Sequence, residues 1–266
     1  MVGLVENLRK SARLKGFAPF LDPVLKLRKI HSVEYVNDFD SDGAIHPLGH
    51  KYEQGFKMMV KRNCSSHRIR FTIAHEICHT MFYEMVPEVK FKPHEVDPKE
   101  ERLCNIGAAA LLVPARILKR EVRGLPISFD SLEQLSKLFN VSLEVMLLRL
   151  RSTEIWHAEL SVWRLMTSGK FLQDRLIGGR KVDWTWCESD LLRNAWATQR
   201  ILRGRTYLAC KGQDGGLKIR AVSYELKRRG DTVLALWSHP STRRTRPAMP
   251  LFEGVHHSKT NNQNSL

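Results

Sequence analysis

Residues Phe71 to Glu84 read FTIAHEICHTMFYE, and within them His75 and His79 stand four apart with Glu76 directly after the first. On a helix this spacing stacks both imidazoles on one face, one turn apart. Two neutral imidazoles so placed can ligate one tetrahedral metal ion, and zinc suits nitrogen donors without a strong geometric demand of its own. Glu76 lies about 100° around the helix from His75, so its carboxylate can reach beside the metal and take a proton from a bound water. That is the general base of a metallopeptidase. Ile73, Ala74, Ile77, Cys78, Met81 and Phe82 make much of the same helix apolar. The helix is therefore read as buried, where two histidines need partners or a metal.

A zinc site of this kind needs one more protein ligand and an open position for water. The stretch from Lys99, KEERLCNIGAAALLVPARILKREV, is strongly helical, and Glu101 followed by Asn105 supplies an E-x-x-x-N spacing. Glu101 would sit on the metal, and Asn105, one turn later, would accept the free ring N–H of a ligating histidine. Glu100 stands as the alternative third ligand, because a phase error of one residue turns a helical side chain by about 100°. His94, in the proline-bearing connection from Val86 to Pro98, is read as an exposed loop residue. Ile106, Ala109, Ala110, Leu112 and Val113 offer an apolar face with small residues for close packing on the metal helix, and Pro114 marks a kink or stop.

Around these two helices the pattern is mixed. Leu8, Leu14, Phe17, Phe20, Leu21, Leu25 and Ile30 are interrupted by Pro19 and Pro23, which predicts short helical pieces serving as a lid or packing element. Asn37 to Gly49, NDFDSDGAIHPLG, is rich in Asp and Gly but lacks the glutamate and flanking helices of an EF-hand loop, so it is read as a turn. Phe56, Met58 and Val60 alternate with Lys57, Met59 and Lys61, a half-buried strand leading into the metal helix. In zinc peptidases of this construction a neighbouring strand offers its edge to an extended peptide. Ser65 and Ser66 can cap the metal helix.

RIRFTIAHEICH followed by ERLCNIGAAALLVP resembles the two helices that mark the ImmA/IrrE metallopeptidases, R-x-x-F-[ST]-x-A-H-E-x-x-H and E-x-x-A-N-x-F-A-A-x-L-L-[MV]-P. The likeness covers about residues 55 to 152, with Cys104 where alanine is usual and Gly107 where an aromatic residue is usual. It implies a gluzincin-like fold, zinc held by His75, His79 and Glu101, Glu76 as base, and endopeptidase action on helix-turn-helix repressors that releases genes for mobile-element transfer or stress responses.

Ile127 to Arg151 reads as two helices around Asn140-Val141-Ser142, a helix-turn-helix pattern with Leu132, Leu135, Leu138, Phe139, Val141, Val145, Leu148 and Leu150 as its core. The second helix opens Ser142, Leu143, Glu144, Val145, which is poor for reading bases, so a packing role is expected. From Ile155 the texture turns to strands: GKFLQDRLI, KVDWTWCES, RTYLAC, GLKIRAVSYELK and DTVLALWS, with a helical piece from Asp190 to Leu202. Trp184, Trp186, Trp196 and Trp237 are read as core and sheet packing. The expected organisation is α+β: a zincin-like peptidase domain over 1–126, a helix-turn-helix-like segment over 127–154, a smaller mixed α+β domain over 155–240, and a basic, then polar, tail over 241–266 that is read as disordered.

Composition fits this plan. At 266 residues and 42% hydrophobic content the chain can bury ordinary cores. It has no apolar run of ~18 residues or more, and its charged amino terminus is unlike a signal peptide, which predicts a cytoplasmic protein. The five cysteines form no C-x-x-C pair, so reduced thiols are expected rather than a disulfide framework. The net charge of +15 is uneven: residues 1–154 carry 24 basic and 19 acidic side chains, a net of +5, and 155–266 carry 19 and 9, a net of +10. That balance leaves open direct nucleic-acid binding by the second half. Two readings follow: a zinc-dependent endopeptidase acting on a repressor, or a non-proteolytic zinc-containing regulator that binds DNA or a repressor partner. For the donor that would share the oxyanion with zinc, His67, Arg68, Arg70 and Tyr83 are the residues near in sequence.

Overall fold

A computed structural model of the chain describes residues 1–49, 52–85, 97–178, 188–211 and 217–239. His94, Trp184, Trp186 and the tail over 241–266 lie outside the described residues. Among the described residues there are eight helices and two sheets.

The strand read at Gly55 to Asn63 is β3, Phe56–Lys61, whose Phe56, Met58 and Val60 are buried while the residues between are half-buried. It is central, however, and so is not the edge that a peptide could join. β1, Ile30–Val36, pairs with it in parallel on one side, and β2, Gly43–Pro47, pairs antiparallel on the other. β2 falls within the segment expected to be only a turn. Its five residues, begun by Gly43 and closed by Pro47, are too few to show an alternating pattern. Proline at the end of an edge strand costs no ladder bond.

Three helices build on this sheet. α1, Val2–Ser11, packs against α4, Pro98–Leu112. α3, Ser66–Met85, lies between the sheet and α4. Ser65 starts α3 by accepting the Arg68 N–H at 3.4 Å and, through its carbonyl, the Ile69 N–H at 3.0 Å. Asp97 caps α4 through the Lys99 N–H at 2.8 Å, with Pro98 at the first position and Glu100 and Glu101 in a first turn that favours negative charge. Of the apolar face expected here, Ala110, Leu112 and Val113 are buried and Ala109 is half-buried, while Ile106 is exposed; Cys104, Gly107, Ala108 and Leu111 are buried with them. At Gly107 a β-carbon would come within 2.7 Å of Cys78 Sγ and 2.8 Å of Met1 Cγ, so the backbone of α4 approaches α3 at a distance that a larger residue would forbid.

The amino-terminal segment is a packing element. Val5, Leu21 and Val24 enter the core, and α2, Asp22–Leu27, ends at Arg28. The Arg28 guanidinium then donates to Thr80 Oγ1 at 2.8 Å and to its carbonyl at 3.0 Å, and pairs with Glu84 at 2.9 Å.

After α5, Ala115–Glu121, the helix pair appears as α6, Phe129–Phe139, and α7, Leu143–Ser152, joined through Asn140 in the left-handed conformation. In α7 Met146, Leu147 and Leu150 are buried, whereas Leu148 faces solvent. Glu144, early in α7, is held by Arg175 at 2.7 Å. The second sheet runs β5-β4-β8-β7-β6, antiparallel throughout: β4 Ala158–Leu165, β5 Phe171–Ile177, β6 Leu202–Lys211, β7 Leu217–Arg229 and β8 Thr232–Ser238. α8, Glu188–Ala197, begins where the last residues of KVDWTWCES had been read as strand. β4, not anticipated as a strand, and β8 are buried on both faces, and in β8 the apolar run TVLALW shows no alternation.

The sheet is a middle layer. One face, with Ala158, Leu160, Val162, Leu234 and Leu236, joins the core of α3, α4, α6 and α7. The other face, with Trp163, Val233, Ala235 and Trp237, packs with Leu192 and Ala195 of α8. Glu225 ties the layers, accepting the Phe129 N–H at the start of α6 at 2.7 Å and Arg203 Nε at 2.6 Å. Trp196 is covered by the Arg228 guanidinium, 4.0 Å from the ring centre.

In the second core the fully buried Ser161 hydroxyl accepts both Trp163 Nε1–H and Trp237 Nε1–H at 2.8 Å. Ser161→Ala removes the acceptor of two buried indoles and is expected to lower stability by about 2–4 kcal/mol, read from the denaturant midpoint. A loss below ~1 kcal/mol would mean that the indoles are satisfied without it.

Candidate metal centre

α3 and α4 run in opposite directions: His75 meets Asn105, and one turn on His79 meets Glu100. Between these contacts both histidines turn Nε2 inward, 3.0 Å apart. Glu101 spans the pair, with Oε2 at 3.2 Å from His75 Nε2 and Oε1 at 3.2 Å from His79 Nε2. The outer nitrogens are occupied. His75 Nδ1–H donates to Asn105 Oδ1 at 3.1 Å, and His79 Nδ1–H donates to Glu100 Oε1 at 2.7 Å.

The two acidic residues that sequence left in competition are thus separated by function of position. Glu101 faces the inner nitrogens, and Glu100 braces an outer one. The two inner nitrogens lie 3.0 Å apart, and each is 3.2 Å from a different oxygen of the Glu101 carboxylate. Tetrahedral zinc with nitrogen and oxygen ligands at about 2.0–2.1 Å sets neighbouring ligands roughly 3.3 Å apart, so the set fits the ion's size and donor preference. Burial first, then the neighbouring His79, lowers the His75 pKa from its ordinary value, against the opposing pull of Glu101 and Asn105. The neutral ring so favoured is the form that binds a metal.

Glu76 projects from the same helix and is buried, and burial pushes its carboxyl up to about 7, with His79 opposing and Glu101 reinforcing the rise. Sequence reasoning missed what stands over it. Gly43 of β2 packs so closely that a β-carbon there would lie 2.4 Å from Thr72 Cγ2 and 3.0 Å from Glu76 Oε1. The edge strand of the first sheet therefore passes directly beside Glu76. No motif marks Gly43 in sequence, because the contact depends on the pairing of β2 with β3.

Of the four residues considered as further donors, Arg68 is held by Asp42, its Nε at 2.7 Å and its Nη2 at 2.6 Å from Oδ2. His67 is half-buried, and so is Arg70, which lies close enough to Arg9 that its charge adds to burial in lowering that residue's pKa. Tyr83 is turned toward the centre: burial, then the charges of Glu100 and Glu76, push its phenol up to about 12. Its ring packs on Tyr52 and Phe56, with centres 5.8 and 5.3 Å away.

Residues 41–151 match a peptidase family model described as the IrrE N-terminal-like domain. This bears out the resemblance read from the two helices. A curated relative, the radiation response metalloprotease IrrE of Deinococcus deserti, is 32% identical over 82 residues, covering 29% of this chain and 27% of that protein. The chain thus spans about a quarter of the length of that relative. Among solved structures, a Mycobacterium tuberculosis transcriptional regulator superposes with a TM-score of 0.53 at 14% identity, covering 94% of this chain and 93% of the other, which shows a shared fold. No helix among the described residues is long and apolar enough to cross a membrane.

Gly43→Ala forces a methyl group against the stiff, buried Thr72 and the Glu76 carboxylate. The variant is expected to keep its metal content while any peptidase activity falls at least tenfold, about 1.4 kcal/mol in the barrier. Unchanged activity would place the reacting groups away from β2.

Proposed function

We propose that this chain is a zinc-dependent endopeptidase that cleaves a helix-turn-helix transcriptional repressor and so relieves repression. The observation that carries the reading is the convergence of His75 Nε2, His79 Nε2 and both Glu101 oxygens beside a buried Glu76 whose carboxyl sits near neutrality. His75, His79 and Glu101 would hold the zinc. When bound, zinc supplies a Lewis acid for the scissile carbonyl and makes water acidic enough to ionise near pH 7.

The chain's own residues do the rest. Asn105 and Glu100 fix the two imidazoles in the tautomer that leaves Nε2 free to bind. Glu76, buried on the same helix as the two histidines, takes the water proton and returns it to the leaving amine. β2, at the edge of the sheet and beside Glu76, can pair with an extended substrate through main-chain hydrogen bonds. The helix-turn-helix repressor as substrate and the stress or mobile-element setting rest on the resemblance to the ImmA/IrrE peptidases, and cleavage in the cytoplasm rests on the charged amino terminus and the lack of a long apolar run.

The regulator reading, a zinc-stapled protein that binds DNA or a repressor without cutting, draws on the net +10 of residues 155–266. It leaves Glu76 unexplained, since a structural zinc site has no use for a buried carboxyl beside its ligands.

The test is metal content together with new amino termini in cells. Wild type should carry one zinc per chain, Glu101→Ala should lose it, and Glu76→Gln should keep it while cleavage falls on the order of 10²–10⁴-fold. Cells expressing wild type, but not Glu76→Gln, should show a DNA-binding repressor with a new amino terminus. A Glu76→Gln variant that cleaves like wild type would overturn the assigned base, and a wild type without zinc under replete conditions would overturn the enzyme.

A further inference from the structure

Cys104 has no part in the mechanism above, yet it sits against its machinery. It lies one turn after Glu100 on α4 and is fully buried. Its Sγ, a carboxylate oxygen of Glu100 and a ring nitrogen of His79 all lie within 4.8 Å of one another. The His79 nitrogen on this side is Nδ1, 2.7 Å from Glu100 Oε1, whereas Nε2 faces His75 and Glu101. One imidazole ring therefore stands between two donor groups, two nitrogens and a carboxylate on one side, and a nitrogen, a carboxylate and a sulfur on the other.

We propose that His79, Glu100 and Cys104 form a second metal site, which takes a thiophilic divalent ion such as excess zinc or cadmium and is joined to the first site through the His79 ring. It rests on the zinc site proposed at His75, His79 and Glu101. Sulfur among the donors selects zinc or cadmium over magnesium or calcium, which prefer oxygen alone. Two protons leave when the ion enters, one from the Cys104 thiol and one from His79 Nδ1, and both pass to solvent. The three donors are then a thiolate, a carboxylate and a bridging imidazolate, and the remaining position is open to water.

The other buried thiol of the helix pair, Cys78, neighbours Cys104 but belongs to neither group of close donors. Cys78 Sγ packs against Gly107, one turn further along α4. Entry is from the Glu100 side, where that side chain is 30% exposed. Glu100 then serves in two ways. With the first site alone filled it accepts the His79 proton, and with both filled it is itself a ligand.

Metal-free full-length protein is titrated with cobalt(II) and, separately, with cadmium, following bound ion per chain and the thiolate-to-metal charge-transfer absorption. Wild type should take two ions, the absorption growing only with the second. Cys104→Ala and Cys104→Ser should each take one ion with the absorption lost, and the ion they retain reports that they are folded. Wild type that stops at one ion without the absorption overturns the second site and leaves the peptidase reading standing. A first equivalent that already carries the absorption, lost in the Cys104 variants, puts the ion at Cys104 and overturns the first site and the bridge together. Absorption that survives in both Cys104 variants assigns the sulfur to another cysteine and overturns the proposal.

Discussion

The close approach of α3 to α4 is the constraint on which the rest of this protein depends. Two imidazoles and a carboxylate meet at about 3 Å only if two helix backbones come near enough for short side chains to bridge them. Gly107 against Cys78, with Ala108 and Ala110 beside it, permits that approach. The donors themselves would resist it, since His79 lowers the charge that His75 can carry and buried polar groups cost free energy unless paired. Apolar packing of Ala74, Ile77, Met81, Leu111 and Leu112 supplies the opposing stabilisation.

What could be read from sequence was what local spacing controls. His75, Glu76 and His79 are fixed on one helix by the 3.6-residue period, and the alternation at Phe56, Met58 and Val60 marks a half-buried strand. The pairing of Glu101 with the inner nitrogens depends on the phase of one helix against another. Spacing to Asn105 favoured it but could not separate it from Glu100, which turns out to brace the outer nitrogen of His79. Gly43 and β2 were illegible for a different reason. A five-residue edge strand takes its identity from the ladder beside it, and its contact with Glu76 has no local signature.

The second sheet was hidden in part by its own burial. β4 places Leu160 and Val162 toward α6 and α7, and Ser161 and Trp163 toward α8; apolar and polar residues alternate only over Ala158–Val162 before Trp163 breaks the pattern. β8 is buried in the same way but carries a longer apolar run, TVLALW, which reads as strand without alternation. The change of texture near Ile155 is real as a change of secondary structure. It is not a break in the core, which continues from Val5 through Leu150 to Leu236.

That continuity joins the two halves through one shared core. A chain severed near residue 154 would leave Leu160, Val162, Leu234 and Leu236 without their partners on α6 and α7, and would strip Glu225 from the start of α6. Neither fragment could recover that apolar area alone, so loss of either layer would expose apolar surface on the other. The candidate metal centre is thereby coupled to the integrity of strands that never touch it.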